Sequence, residues 1–317
     1  MFLARVGALA AFLLTINAFV GAASAATLLP RPTPEQARTG LVRIWVRNVV
    51  LYPYRDAPTH VLTLVGTVAP TQSGRTISFD NIRSYGVMIE HADVAMSAAT
   101  MTVLMNRYVL PASNGPIKQV QVTFGNGTIA LTGTMVKGAI RAKFKATAVP
   151  SVTPEGDMRI RITKMIAGGF VSKGLLDAVG LKMQKVAQPR NTAVFHMVGD
   201  DMIVPVVSIF PPPKFSGVLR AVRVTPSAIV STIGTRVPPA MPALGASYMH
   251  YRGGVIKFAK LTMRDVDMTL VPKAPGTTLG FSGAAYYLQL ENGFSVLTPQ
   301  RALVAHVPDY ATLRPKP

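Results

Sequence analysis

Residues able to do acid–base, nucleophilic or metal chemistry are few in this chain and widely spaced. It carries five histidines, 14 carboxylates and no cysteine. His60, His91, His196, His250 and His306 never fall within five residues of one another, so no local H-x-x-x-H pair can grip a zinc ion. Each reads as a histidine on a strand face. Ser282 lies in GFSG, which lacks the spacing of the G-x-S-x-G nucleophile elbow. Val136-Lys137-Gly138 is no phosphate loop, and Asp157, Asp200 and Asp201 fall on turns. Asp265 and Asp267 stand apart, because strand alternation puts both on one face, as a calcium site or a catalytic pair would need. Neighbouring Arg264 and Lys260 make a solvated, charge-balanced edge the plainer reading. Catalytic groups converge in space and not in sequence, which keeps an enzyme open as an alternative. The expectation is a non-enzymatic protein with no metal and no cofactor.

What does repeat is electrostatic. In VKGAIRAKFKATAVPSVTPEGDMRIRITKM (136–165), Arg141, Lys143 and Lys145 alternate with Ile140, Ala142, Phe144 and Ala146. Arg159 and Arg161 then alternate with Met158, Ile160 and Ile162. Two such strands, if paired, gather five like charges on one face, which is costly unless that face is solvated or neutralised. It is either a plain solvent face or a docking surface for an anionic bilayer leaflet, where each nearby Lys or Arg contributes ~1 kcal/mol. The other parity is apolar, and it forms either an ordinary core or a groove for flexible apolar ligands. Fifteen methionines, with adaptable thioether side chains, suit such walls.

The chain as a whole sets the context. Of its 317 residues 49% are hydrophobic, which excludes a disordered protein. Arg5, the apolar run ALAAFLLTINAFVGA and Ala23-Ser24-Ala25 have the format of a cleaved signal peptide over residues 1–25. The apolar run is about 15 residues, short of the roughly 20 that span a bilayer, although an uncleaved anchor is the competing reading. Without cysteine there is no disulfide framework, and the fold must hold by packing. Together these features point to a bacterial periplasm or extracytoplasmic envelope. The net charge of +19 speaks of partners rather than fold. Behind an export signal those polyanions are lipid headgroups, lipopolysaccharide and wall polymers, not nucleic acid; a generally basic proteome is the bland alternative.

The elements that must position these residues are mostly strands. A Pro-rich linker (26–40) precedes LVRIWVRNVVLY (41–52), HVLTLVGTV (60–68) and VMIEHADVAM (87–96), all alternating. Ser97 then reads as the N-cap of a helix over 97–110, with Met101, Leu104, Met105 and Tyr108 on one face. VQVTF and TIALTGTM flank Gly125-Asn126-Gly127 as a hairpin, whose continuation through 138–148 and 157–166 makes a meander. A second helix over 171–186 puts Leu175, Val179, Met183 and Val186 on one side, weakened by Gly174 and Gly180. A hairpin over 192–207 turns at Gly199-Asp200-Asp201, prolines 211–213 interrupt the chain, and 226–234 reads as a short helix. Pro238, Pro239 and Pro242 mark a linker at 237–246, followed by a β-rich segment (247–310) and a tail (311–317). RNVVL, ADVAM and RDVDM echo one another too weakly to define a repeat.

The order from about 80 to 235 resembles the LmeA-type members of the tubular lipid-binding (TULIP-like) class. The likeness runs through VMIEHADVAM, SAATMTVLMNRYVL, IKQVQVTFGNGTIALTGTMVKGAIRAKFKATAVPSVTPEGDMRIRITKM, VSKGLLDAVGLKM, MVGDDMIVPVV and GVLRAVRVTPSAIVSTIG. It implies an α+β fold, a long curved, mainly antiparallel sheet packed on two helices, with an apolar groove for phospholipid acyl chains. The helix 97–110 is short for a groove-filling helix, and the segment after 247 has no counterpart. On this reading residues 41–236 form the lipid-binding domain. No family site residue carries over, because none sits in a recognisable motif; helix faces and strand parity alone nominate Met101, Leu104, Met105, Tyr108, Phe124, Phe144, Ile160, Leu175, Val179 and Met183 to line the groove, and Arg141, Lys143, Lys145, Arg159 and Arg161 to meet the anionic surface. The rival expectation is an envelope scaffold with a packed interior, its basic face holding a wall polymer or a protein partner.

Overall fold

The computed structural model describes residues 40–110, 117–137, 140–167, 170–171, 196–198, 201–207, 210–258 and 261–313. The leader, most of the linker and, apart from Val171, the helix expected over 171–186 lie outside them. The fold is α+β and mostly strand, with two short α-helices among the described residues.

Strands β1 (Val42–Tyr54), β2 (Ala57–Pro70), β3 (Ile77–Ser78) and β4 (Tyr85–Met96) come first, then helix α1 (Ala98–Leu104), which runs on as a π turn over Met105–Val109. Ser97 caps α1 as its sequence predicts, its side chain accepting from the Thr100 N–H. Next are β5 (Ile117–Phe124), β6 (Ile129–Lys137), β7 (Ile140–Val152), β8 (Met158–Ala167), β9 (Phe170–Val171), β10 (His196–Val198) and β11 (Asp201–Val204). The chain closes with β12 (Lys214–Ser216), β13 (Leu219–Val224), β14 (Ile229–Gly234), β15 (Tyr248–Phe258), β16 (Leu261–Pro272), β17 (Leu279–Phe281), helix α2 (Tyr286–Glu291), β18 (Phe294–Leu297) and β19 (Leu303–Val307).

Two sheets result. The smaller has the order β10-β11-β8-β7-β6-β5, the expected meander followed by its hairpin. The larger has twelve strands, nine of them on the path β13-β14-β4-β2-β1-β15-β16-β19-β18, with β12 beside β4, β17 beside β1 and β3 beside β15. The β-rich C-terminal segment therefore joins the same sheet as the first strands, with β15 hydrogen-bonded to β1 from Arg43↔Arg252 to Arg47↔Tyr248.

Two short elements differ from expectation. Residues 229–234 form a strand and not a helix, because Ile229, Ser231 and Ile233 alternate inward in a β-branched run that pairs with β4. Residues 286–291 form a helix inside a segment that reads as strand, anchored by fully buried Gln289, whose amide donates to the Gly280 and Pro308 carbonyls.

Helix α1 protects an edge. Strand β5 ends the smaller sheet, and its outer backbone groups need partners. Asn106 supplies them: its Oδ1 accepts from the Val120 N–H at 2.9 Å, and its Nδ2 donates to the Val120 carbonyl at 2.5 Å. Thr102 Oγ1 accepts from the Val122 N–H at 3.0 Å.

In the larger sheet, inward positions of β1 and β2 are Val42, Ile44, Val46, Val61, Leu64 and Val68, all buried. Its other face also carries a row that is buried except at half-buried Trp45. Register places His91, Val65, Trp45, His250 and Thr269 directly opposite one another across five strands. Residues 235–247 carry the chain from β14 to β15 past β4, β2 and β1, which lie between them in the sheet order. The Thr235 carbonyl on this crossover meets His91 Nδ1 at 2.7 Å, and the Pro242 carbonyl accepts from the Tyr248 hydroxyl at 2.6 Å.

Candidate functional site: an apolar cavity and a basic strip

His91 and His250 are engaged by the protein itself. His91 is fully buried; Thr235 holds one ring nitrogen, and the other lies 3.3 Å from Thr63 Oγ1 and 3.4 Å from Asp93 Oδ2. His250 sits between Trp45, at 5.4 Å ring to ring, and Thr269 Oγ1, at 3.0 Å from its Nδ1. Burial pushes its pKa down to about 4, opposed by the nearby Asp267 carboxylate. Asp265 and Asp267 do not share a simple strand face, because Asp265 has a φ of 51° and breaks the alternation. Among the described residues no group of three or more His, Asp or Glu side chains could hold a metal ion, and no helix is long and apolar enough to cross a membrane.

The inner face of the larger sheet carries a cavity of about 160 Å³. Ile44, Val46 and Leu51 line it from β1, Val61, Leu64 and Val68 from β2, Tyr85, Val87, Ile89 and Val94 from β4, and Met249 and Tyr251 from β15. Val207, Phe210, Pro211, Pro212 and Pro213 line it from the segment between β11 and β12, and Phe215 from β12 itself. Here the triple proline has a use that spacing alone does not reveal: it has no N–H to leave unpaired against an apolar space. Exposed Pro212 and Ala284 mark the mouth. The cavity is smaller than the roughly 300–1,000 Å³ of most small-molecule sites. Its shape is long: the β2 positions on its wall run from Thr59 to Val68, about 30 Å of strand at ~3.3 Å per residue. No lining residue is charged.

The predicted groove residues sit elsewhere. Phe144 is buried in the core, and Met101, Met105, Phe124 and Ile160 are half-buried against it. Leu104 is half-buried on α1; none of these six lines the cavity. The side chain of Tyr108, and Leu175, Val179 and Met183, lie outside the described residues. Sequence reasoning passed over the actual lining because Val, Leu and Ile at alternate positions of a strand look the same whether they meet other side chains or empty space.

The five basic residues divide into two groups. Arg141, Lys143 and Lys145 are exposed on β7. Lys118 joins them through Thr134, which is opposite both Lys118 and Lys143. Arg161 pairs opposite Val149, four residues along β7 from Lys145, or about 13 Å at strand spacing. Arg159 and Arg161 also share a counter-ion. Asp201 on β11 takes two hydrogen bonds from Arg161, at 2.9 and 3.0 Å, and lies 3.5 Å from Arg159. These hydrogen bonds hold the Asp201 pKa below its ordinary value. No ion pair engages Arg141, Lys143 or Lys145 among the described residues.

Neither family models, curated proteins nor solved structures give a match to this chain.

Proposed function

We propose that this is an exported, non-enzymatic lipid-binding protein that holds or transfers an acyl chain in the cavity of the larger sheet. It meets anionic membrane surfaces through the Arg141–Lys143–Lys145 strip. One observation carries the reading: the cavity wall holds no charge, is mostly apolar and follows β2 from Thr59 to Val68, a length suited to an extended alkyl chain. Burying a methylene is worth ~0.8 kcal/mol, so an acyl tail of about 16 carbons loses roughly 12 kcal/mol on entering water. An apolar slot offsets most of that cost without exceeding what the bilayer offers, which lets a lipid leave one membrane and enter another. The missing charge in the wall fits a tail, and the strip outside fits a headgroup-bearing surface.

The LmeA-type resemblance supports the same reading, with the slot moved from the meander to the twelve-stranded sheet. The scaffold alternative shares the basic strip but has no use for the cavity. Transfer of a fluorescent phospholipid from donor to acceptor vesicles separates them: the lipid reading expects acceleration that scales with protein concentration, and a scaffold gives none.

A further inference from the structure

Tyr85 and Tyr251 are at least nine-tenths buried and line the cavity. Both pack on Phe79, with ring centroids 5.6 and 5.5 Å away. Tyr286 packs on the same Phe79, but its hydroxyl donates to Asp80. Tyr85 and Tyr251 differ: among the described residues neither hydroxyl makes a hydrogen bond, and neither oxygen is among the sealed, unpartnered atoms of the interior. Their oxygens are therefore not sealed off, and the cavity is the space these two side chains line. Tyr52 and Thr59 also line the slot, and Thr59 Oγ1 is sealed without a partner; phenol donors facing walls that are mostly apolar cost stability unless something accepts from them.

We infer that the slot selects a guest carrying an uncharged hydrogen-bond acceptor, and that Tyr85 and Tyr251 hold the ester carbonyl of an acyl chain. The absence of any cation in the wall argues against a carboxylate or phosphate at this depth, because a buried anion without a partner is far more costly than a buried carbonyl. Burial raises the pKa of both phenols, which keeps them protonated as donors. This inference rests on the lipid reading and adds the chemistry of the ligand's buried polar atom.

The test uses the full-length protein and displacement of the neutral dye N-phenyl-1-naphthylamine by decane, methyl decanoate or sodium decanoate at pH 9. In Tyr85→Phe/Tyr251→Phe the affinity ratio of ester to alkane should fall about tenfold, the loss of two ordinary hydrogen bonds, with decane unaffected. Each single variant should give about threefold, which keeps the test available if the double variant fails to fold. Decanoate should bind more weakly than the ester. The melting temperature of the variants should hold or rise, because hydroxyls without protein partners contribute no stability; a role in packing alone predicts a fall. An unchanged ester-to-alkane ratio, or decanoate binding more tightly than the ester, overturns the inference and leaves the slot intact. If neither the dye nor any probe binds wild-type protein, the lipid reading fails with it.

Discussion

Arg161 and Asp201 form a two-point pair across neighbouring strands, Nε to Oδ1 at 2.9 Å and the second guanidinium nitrogen to Oδ2 at 3.0 Å. The planar fork of arginine matches a carboxylate in this way. The pair takes one of the five predicted surface cations out of circulation and draws Arg159 toward the same carboxylate.

It follows that the cations are unequal in membrane attachment. Charge reversal in Lys143→Glu/Lys145→Glu should weaken binding to vesicles containing anionic lipid by about ten- to a hundredfold. Arg161→Gln should change it by less than about threefold, and Asp201→Asn should strengthen it modestly. Vesicle co-sedimentation at low and physiological salt measures all three. Equal losses for Lys143, Lys145 and Arg161 would contradict the division into a free strip and a neutralised pair.

Stability should also depend on pH through His250. Its folded pKa, depressed to about 4 by burial, lies below the ordinary value near 6.5. The unfolded chain thus binds the extra proton first. The contribution is fully present above pH 6.5 and lost as pH falls from 6.5 through 4. Urea unfolding midpoints should decline over that window, and the decline should be shallower in His250→Phe. The same slope in both proteins removes His250 from the account.

Helix α1 should prove to be a brace for the smaller sheet. Asn106→Leu leaves the N–H and carbonyl of Val120 without their partners, a loss of about 2–3 kcal/mol. Chemical denaturation reads it directly, and a loss below about 0.5 kcal/mol would show that the edge of β5 needs no cover.

Much of the fold is legible in the sequence, because alternation and capping are local signals. Ser97, the Gly125-Asn126-Gly127 turn and the β7–β8 alternation each sit where residue types place them. What is not legible is long-range pairing. Nothing in Arg43–Arg47 announces that its neighbour is Tyr248–Arg252, two hundred residues later in the chain. Ser247 shows how such a contact is secured: its hydroxyl donates to the Asn48 carbonyl at 2.6 Å and accepts from the Leu279 N–H at 2.8 Å. Asn48 itself, at a φ of 49°, marks the place where β1 leaves β15 and takes up β17. The basic strip is readable for the same local reason, but its neutralising Asp201 depends on which strand lies beside β8.

The most direct test of the lipid reading is native mass spectrometry of the protein purified from cells, run beside Val94→Trp, whose larger side chain fills the slot from β4. The account predicts wild-type protein carrying an acylated lipid that solvent extraction recovers, and a folded variant that carries at least fivefold less. A wild-type protein free of lipid, or a variant that retains as much as wild type, contradicts it.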